Sequence, residues 1–150
     1  MQPNIDLIDL LDALNAVRAK FLIVGAYAFA YHGRPRATKD VDIFVGSSAD
    51  NAGNVFKALL AFGAPLTGLR VEDLSAPGTF FIMGRPPNQI DIITSIDGIS
   101  FDDAWKNRVE STYADRPVAY ISRSDLIRNK KAAARPQDLA DVAYLEEGGS

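Results

Sequence analysis

Thr38-Lys39-Asp40-Val41-Asp42-Ile43-Phe44-Val45 reads as a β-strand. Side chains alternate across a strand, so Val41, Ile43 and Val45 share one face and Asp40 and Asp42 share the other. Two carboxylates side by side repel each other unless something positive lies between them. A hard cation such as Mg2+, which takes oxygen ligands, meets that need. The competing reading is a pair of exposed acids on an edge strand, and the rest of the chain has to decide between the two.

Working outward, the residues before this strand read as a strand, a glycine turn and a helix. Phe21-Leu22-Ile23-Val24 is a short apolar run fit for burial, Gly25-Ala26 turns the chain, and Tyr27 to about Tyr31 is helical. His32-Gly33-Arg34-Pro35-Arg36 is a loop, punctuated by glycine and proline. Upstream, residues 4–19 carry Leu7, Leu10, Leu11, Leu14 and Val17 on one helical face and Asp6, Asp9 and Asp12 on a solvated one. Downstream, a helix over about Asp50 to Phe62 has Val55, Phe56, Leu59 and Leu60 as its apolar stripe. Gly63 and Pro65 end it. Residues 64–78 have no regular pattern. Thr79–Met83 and Gln89–Thr94 form a hairpin with a longer loop between them. Phe101 to Val109 reads as a helix with Trp105 on its buried side, and Pro117 to Ile121 as a weak strand. Ser122 or Ser124 caps a helix running to about Ala134. Pro136 suits the first position of a last helix ending near Glu146, and Gly148-Gly149-Ser150 reads as a frayed tail. Helices separating early strands and a later hairpin predict one α/β (α+β) domain with a mixed sheet flanked by helices. Its core spans about residues 21–121, and C-terminal helices cover about 123–147.

Composition narrows the chemistry. The chain has 150 residues, the size of one ordinary domain, and is 47% hydrophobic. A formal net charge of -3 makes it, as a whole, no basic nucleic-acid binder. With no cysteine and one histidine, disulfides, thiolate sites and multi-histidine zinc sites within one chain are excluded. No long apolar run or basic-then-apolar leader occurs, so the expectation is a soluble, cytoplasmic protein without membrane contact.

Asp91 supplies a third acid. Ile90 and Ile92 take one face of their strand, and Asp91 and Ile93 the other. A lone aspartate among isoleucines needs a hydrogen-bond partner, a counter-charge or a metal. A neighbouring loop could provide the hydrogen bonds. Three acids on two strands of one sheet could instead converge to hold one or two divalent cations, Mg2+ or Mn2+. Gly25 marks where a buried strand gives way to a helix, whose free N–H groups and positive dipole end favour phosphate. The turn lacks the Gly-Lys-Ser/Thr of a P-loop.

Taken together, Leu22-Ile23-Val24-Gly25-Ala26, Asp40-Val41-Asp42-Ile43 and Asp91 in an apolar strand resemble the nucleotidyltransferase superfamily typified by DNA polymerase beta. His32-Gly33 and the run Arg36-x-Thr38-x-Asp40-x-Asp42 resemble small stand-alone bacterial and archaeal members. Asn129-Lys130-Lys131, Arg135-Pro136 and Asp138-Leu139-x-Asp141 resemble segments of the abortive-infection, toxin–antitoxin nucleotidyltransferases. The resemblance covers about residues 21 to 146. It implies two Mg2+ ions on Asp40 and Asp42 clamping a nucleoside triphosphate, with Asp91 helping to hold the catalytic ion and taking the proton of an incoming hydroxyl. It implies phosphate binding at Gly25 and Ala26, with Arg36 and Thr38 as further nucleotide contacts. The implied partners are a nucleoside triphosphate, an RNA or protein acceptor, and an antitoxin or small helical partner protein. The chain departs from the pattern at Ala26, where the family has Gly or Ser, so no hydroxyl is offered to the triphosphate there.

An extra cation near the phosphates is expected from the lysine pair. Periodicity leaves open which of Lys130 and Lys131 turns inward, and the resemblance selects Lys130. Arg36 reads equally well as a surface arginine, and Lys130 as part of a solvated basic helix end. Asp138 and Asp141 share a helix face and are expected to anchor Arg135 or a lysine of the preceding helix rather than a metal. His32 is expected to bond the backbone in its loop, and Trp105 and the phenylalanines to lie in the core. Two other functions compete: a non-catalytic module with the same fold, favoured by Ala26, and a metal-dependent glycosyltransferase, for which the chain is short.

Overall fold

Ile5–Ala16 forms the first helix, α1. Asn4 caps it, its side-chain oxygen accepting from the Leu7 N–H at 3.0 Å. Leu7, Leu10, Leu11 and Leu14 are fully buried, while Asp6, Asp9 and Asp12 face solvent. The structure is a computed structural model and describes residues 3–148. Gly149 and Ser150 of the expected frayed tail lie outside them, while the Gly148 N–H bonds Tyr144 O at 2.9 Å.

Strand β1 (Phe21–Val24) is buried along its whole length and runs straight into helix α2 (Gly25–His32). Strand β2 (Asp40–Val45), helix α3 (Ala49–Phe62) and a single helical turn, α4 (Val71–Leu74), follow. Strands β3 (Phe80–Met83) and β4 (Gln89–Ile93) make the expected hairpin. Helix α5 (Phe101–Lys106), strands β5 (Val109–Tyr113) and β6 (Arg116–Tyr120), and helices α6 (Arg123–Ala133) and α7 (Pro136–Glu147) complete the chain. Ser122 is the residue that caps α6, accepting from the Asp125 N–H.

The six strands form one mixed sheet in the order β3-β4-β2-β1-β6-β5. Strand β2 is antiparallel to β1 and parallel to β4, and β1 is parallel to β6. Helices α1, α3 and α4 pack together, and so do α2, α6 and α7. One hydrophobic cluster joins both groups through the sheet. Among the described residues no helix is long and apolar enough to cross a membrane.

Four local expectations need correction. The helix from Phe101 stops at Lys106, and Val109 instead opens β5, whose pairing with β6 outweighs the helical reading. The β5–β6 turn, Ala114-Asp115, has positive φ at both residues (48° and 68°), the geometry of a two-residue hairpin turn without the usual glycine signal. Residues 71–74, expected to be irregular, form α4, where the Asp73 carboxylate accepts from the Arg70 N–H. Phe80 is 59% exposed rather than core, because it lies on β3, a strand at the edge of the sheet. Trp105 is half-buried, set between the Phe101 ring and the Arg108 guanidinium, which lies 4.0 Å from its ring centroid.

Candidate metal centre

The register of β2 on β4 builds the site. Asp42 lies opposite Asp91, and Asp40 opposite Gln89. Registered residues of neighbouring strands project to the same face, so all four side chains share one side of the sheet. One carboxylate oxygen from each of Asp40, Asp42 and Asp91 lies within 4.8 Å of the others. Asp91 is only 1% exposed, and Asp40 and Asp42 are half-buried.

Each acid is held from behind. Gln89 donates from Nε2 to Asp91 Oδ1 at 2.8 Å, two residues away on the same strand face. The Thr38 hydroxyl donates to the Asp40 carbonyl at 3.0 Å and lies 3.4 Å from its carboxylate. Asp42 is packed against Gly25, whose φ is +64°. A Cβ at Gly25 would collide with Asp42 Oδ2 and come 3.1 Å from its Cγ. Glycine therefore answers two demands at this turn, a left-handed backbone and the close approach of a carboxylate.

Electrostatics shows what the cluster lacks. Burial pushes the Asp42 carboxyl up to about 7, helped by hydrogen bonding to Asp91 and by the charges of Asp40 and Asp91, with Arg135 opposing. Asp40 is raised too, by burial first and then by Asp91. Among the described residues no Lys or Arg forms an ion pair with any of the three; the nearby cations bind Asp138 and Asp141 instead. An all-oxygen, crowded donor set without an ion-pair partner fits a hard divalent cation such as Mg2+ or Mn2+. The three aspartates thus form a group able to hold a metal ion.

Helix α2 begins at Gly25 beside this cluster, and no side chain caps its first N–H groups. Ala26 follows inside the helix. A cleft of about 370 Å3 opens here, with Gly25, Asp42, Phe80, Lys130 and Arg135 among its walls. Lys130 is the lysine that turns inward: it is 6% exposed, whereas Lys131 lies at the surface and pairs with Glu146 at 3.1 Å. The Lys130 ammonium donates to Asp141 at 2.8 Å and sits 3.6 Å from Asp138.

Arg36 is more engaged than a surface arginine. Its guanidinium donates twice to Asp141, at 2.9 and 2.8 Å, and lies over the Phe29 ring. Burial alone would raise the Asp141 carboxyl, but hydrogen bonds from Arg36, Lys130 and Gln137 outweigh it and hold it down to about 2. Asp138 is likewise lowered, burial being outweighed by the bond to Arg135, at 2.6 Å, and by the charges of Arg135 and Lys130. The two acids of α7 do anchor Arg135 and the lysine of α6. His32 closes α2 with its Nε2 2.7 Å from the Ile121 carbonyl oxygen, the backbone bond expected of it.

Sequence reading missed Gln89, although its place two residues before Asp91 was a signal. It also missed that Asp141 reaches across to Arg36, a contact over 105 positions with no local trace. Comparison of the sequence with protein-family models and with curated proteins returned no match.

Proposed function

We propose that the protein is a metal-dependent nucleotidyltransferase that moves a nucleoside monophosphate from a nucleoside triphosphate to a hydroxyl acceptor. The observation that carries this reading is the convergence of Asp40, Asp42 and Asp91 beside the uncapped start of α2. Carboxylates alone would repel a triphosphate, and a bare helix N-terminus alone would bind any small anion. Side by side they suit a ligand that is a polyanion and a metal chelate at once.

Asp40, Asp42 and Asp91 would hold Mg2+ or Mn2+, which when bound neutralises phosphate charge and stabilises the attacking and leaving oxygens. The first N–H groups of α2, at Gly25 and Ala26, would face the phosphates. Asp91, buried and oriented by Gln89, would accept the proton of the attacking hydroxyl. Lys130, held in place by Asp141 and Asp138, would add positive potential to the cleft. Arg36 and Thr38 would act mainly by fixing the segment that delivers Asp40. The acceptor is an RNA end, a protein hydroxyl or a small molecule, and the protein would act within a toxin–antitoxin pair with an antitoxin or small helical partner protein.

Incubation with each labelled triphosphate, Mg2+ and a mixed pool of RNA and protein tests this reading. Label is expected to reach one acceptor class, and Asp40→Asn is expected to abolish it. Transfer that survives Asp40→Asn would sink the mechanism.

A second reading, a non-catalytic module on the same fold, has one observation in its favour. Ala26 offers only backbone to a phosphate, and Arg36 and Lys130 are both already bound to Asp141. Calorimetry with Mg2+ and the four triphosphates separates the two: metal-dependent triphosphate binding counts against an inert module.

A further inference from the structure

A second cavity, of about 380 Å3, is lined by residues of α2, of the segment before β2 and of the β5–β6 hairpin. Ala26 and Thr38 line the edge nearest the acids, and Tyr27, Tyr31, Tyr113 and Tyr120 line the rest. The rings form two pairs. Tyr31 stacks on Tyr120 with centroids 4.1 Å apart and planes 11° from parallel, and Tyr27 meets Tyr113 at 6.1 Å, tilted. Tyr31 is still 44% exposed, although Tyr120 is stacked on its ring.

The lining has one charged group, Arg36, and its guanidinium is engaged in a bidentate pair with Asp141, which it shares with Lys130. A cavity so lined is a poor place for a triphosphate and a good one for a flat, uncharged ring. Its size falls in the range of small-molecule sites, roughly 300–1,000 Å3. Aromatic walls hold nucleobases by stacking, whatever the base, because every base has a π-face. Thr38, in the cavity wall, donates to the Asp40 carbonyl, so the cavity adjoins the strand that carries two of the acids.

We infer that the tyrosine-lined cavity is a nucleoside site that seats the base of one of the two substrates, with the reacting phosphate or hydroxyl delivered to Asp40. The inference rests on the nucleotidyltransferase reading and gives it a substrate class. It also accounts for Ala26: at this turn the side chain forms a wall of the base cavity, and a methyl suits an aromatic ring better than a hydroxyl does.

The test is calorimetric titration of the full chain with adenosine, guanosine, cytidine and uridine in EDTA, where neither metal nor phosphate contributes. At least one nucleoside is expected to bind. Tyr31→Phe, which keeps the ring, should stay within about twofold, and Tyr31→Ala should weaken binding about tenfold or more, the order expected from losing one stacking partner. Ala30→Leu, which extends a side chain into the same cavity, should also weaken binding and carries the test if Tyr31→Ala does not fold. No binding by any nucleoside, or binding that both Tyr31→Ala and Ala30→Leu leave unchanged, overturns the inference. Repeating the titration with Mg2+ and a non-hydrolysable triphosphate identifies the occupant: competition means the donor's base, simultaneous binding the acceptor's, and either supports the site. Failure of transfer with ring-dependent nucleoside binding intact would remove the catalytic reading alone. Transfer without such binding would remove this inference alone.

Discussion

Gly25 is the residue on which the candidate centre turns, because it makes room for a carboxylate that two other acids repel. Gly25→Ala forces a side chain into the left-handed region, which costs about 1–2 kcal/mol, and into Asp42. Displacing Asp42 should weaken Mn2+ binding about 10- to 100-fold, as loss of a ligand-orienting contact does, measurable by calorimetry or paramagnetic relaxation. Asp42 itself makes stability depend on pH. Its folded pKa of about 7 lies above the ordinary 3.8. The folded state therefore binds the proton more tightly, and metal-free protein should lose stability as pH rises from about 4 to about 7. Thermal melts in EDTA should show this fall, and Mg2+ should reverse it more at pH 8 than at pH 5. A metal-free melting temperature that stayed level across that range would contradict the assignment.

At the scale of elements, α7 is an arm that reaches back to the segment before β2. Asp141 carries the connection, bonded to Arg36, Lys130 and Gln137 at once. Asp141→Ala leaves a buried lysine without its main partner, and breaking a buried pair in this way costs about 3–5 kcal/mol. Chemical denaturation should show that loss. The pH effect here has the opposite sign from that of Asp42. Held at about 2, the Asp141 carboxyl contributes stability above its unfolded value of 3.8, and that contribution disappears as pH falls toward 2. The β5–β6 hairpin shows why some elements resist sequence reading. Its turn residues, Ala114 and Asp115, hold positive φ without glycine or asparagine, so the local preference is overruled by the pairing of the strands on either side.

For the whole molecule, these cross-connections mean that the C-terminal helices are not an appendage. A chain ended after Ile121 would leave Arg36 without Asp141 and uncover Phe29, which packs on Tyr144 of α7. It is expected to lose cooperative unfolding, as followed by near-ultraviolet circular dichroism, and with it Mg2+ binding. A sharp native transition in that shortened chain would show the core to be autonomous. The sequence by itself determined most elements, because a four-residue apolar run, a leucine stripe and a Ser, Asn or Gly cap are local signals. It also determined that Asp40 and Asp42 share a face, since a strand alternates with period two. It did not determine that Asp91 stands beside Asp42 rather than elsewhere on the sheet. That depends on β4 docking parallel to β2 in one register, a choice made by the apolar faces of both strands together. Helical periodicity left Lys130 and Lys131 equivalent and the resemblance chose Lys130; the packing of α6 on α7 is what sends it inward to Asp141. Phe80 was misjudged for the same reason: a residue's hydrophobicity is local, but whether anything covers it is decided by what the rest of the chain places next to it.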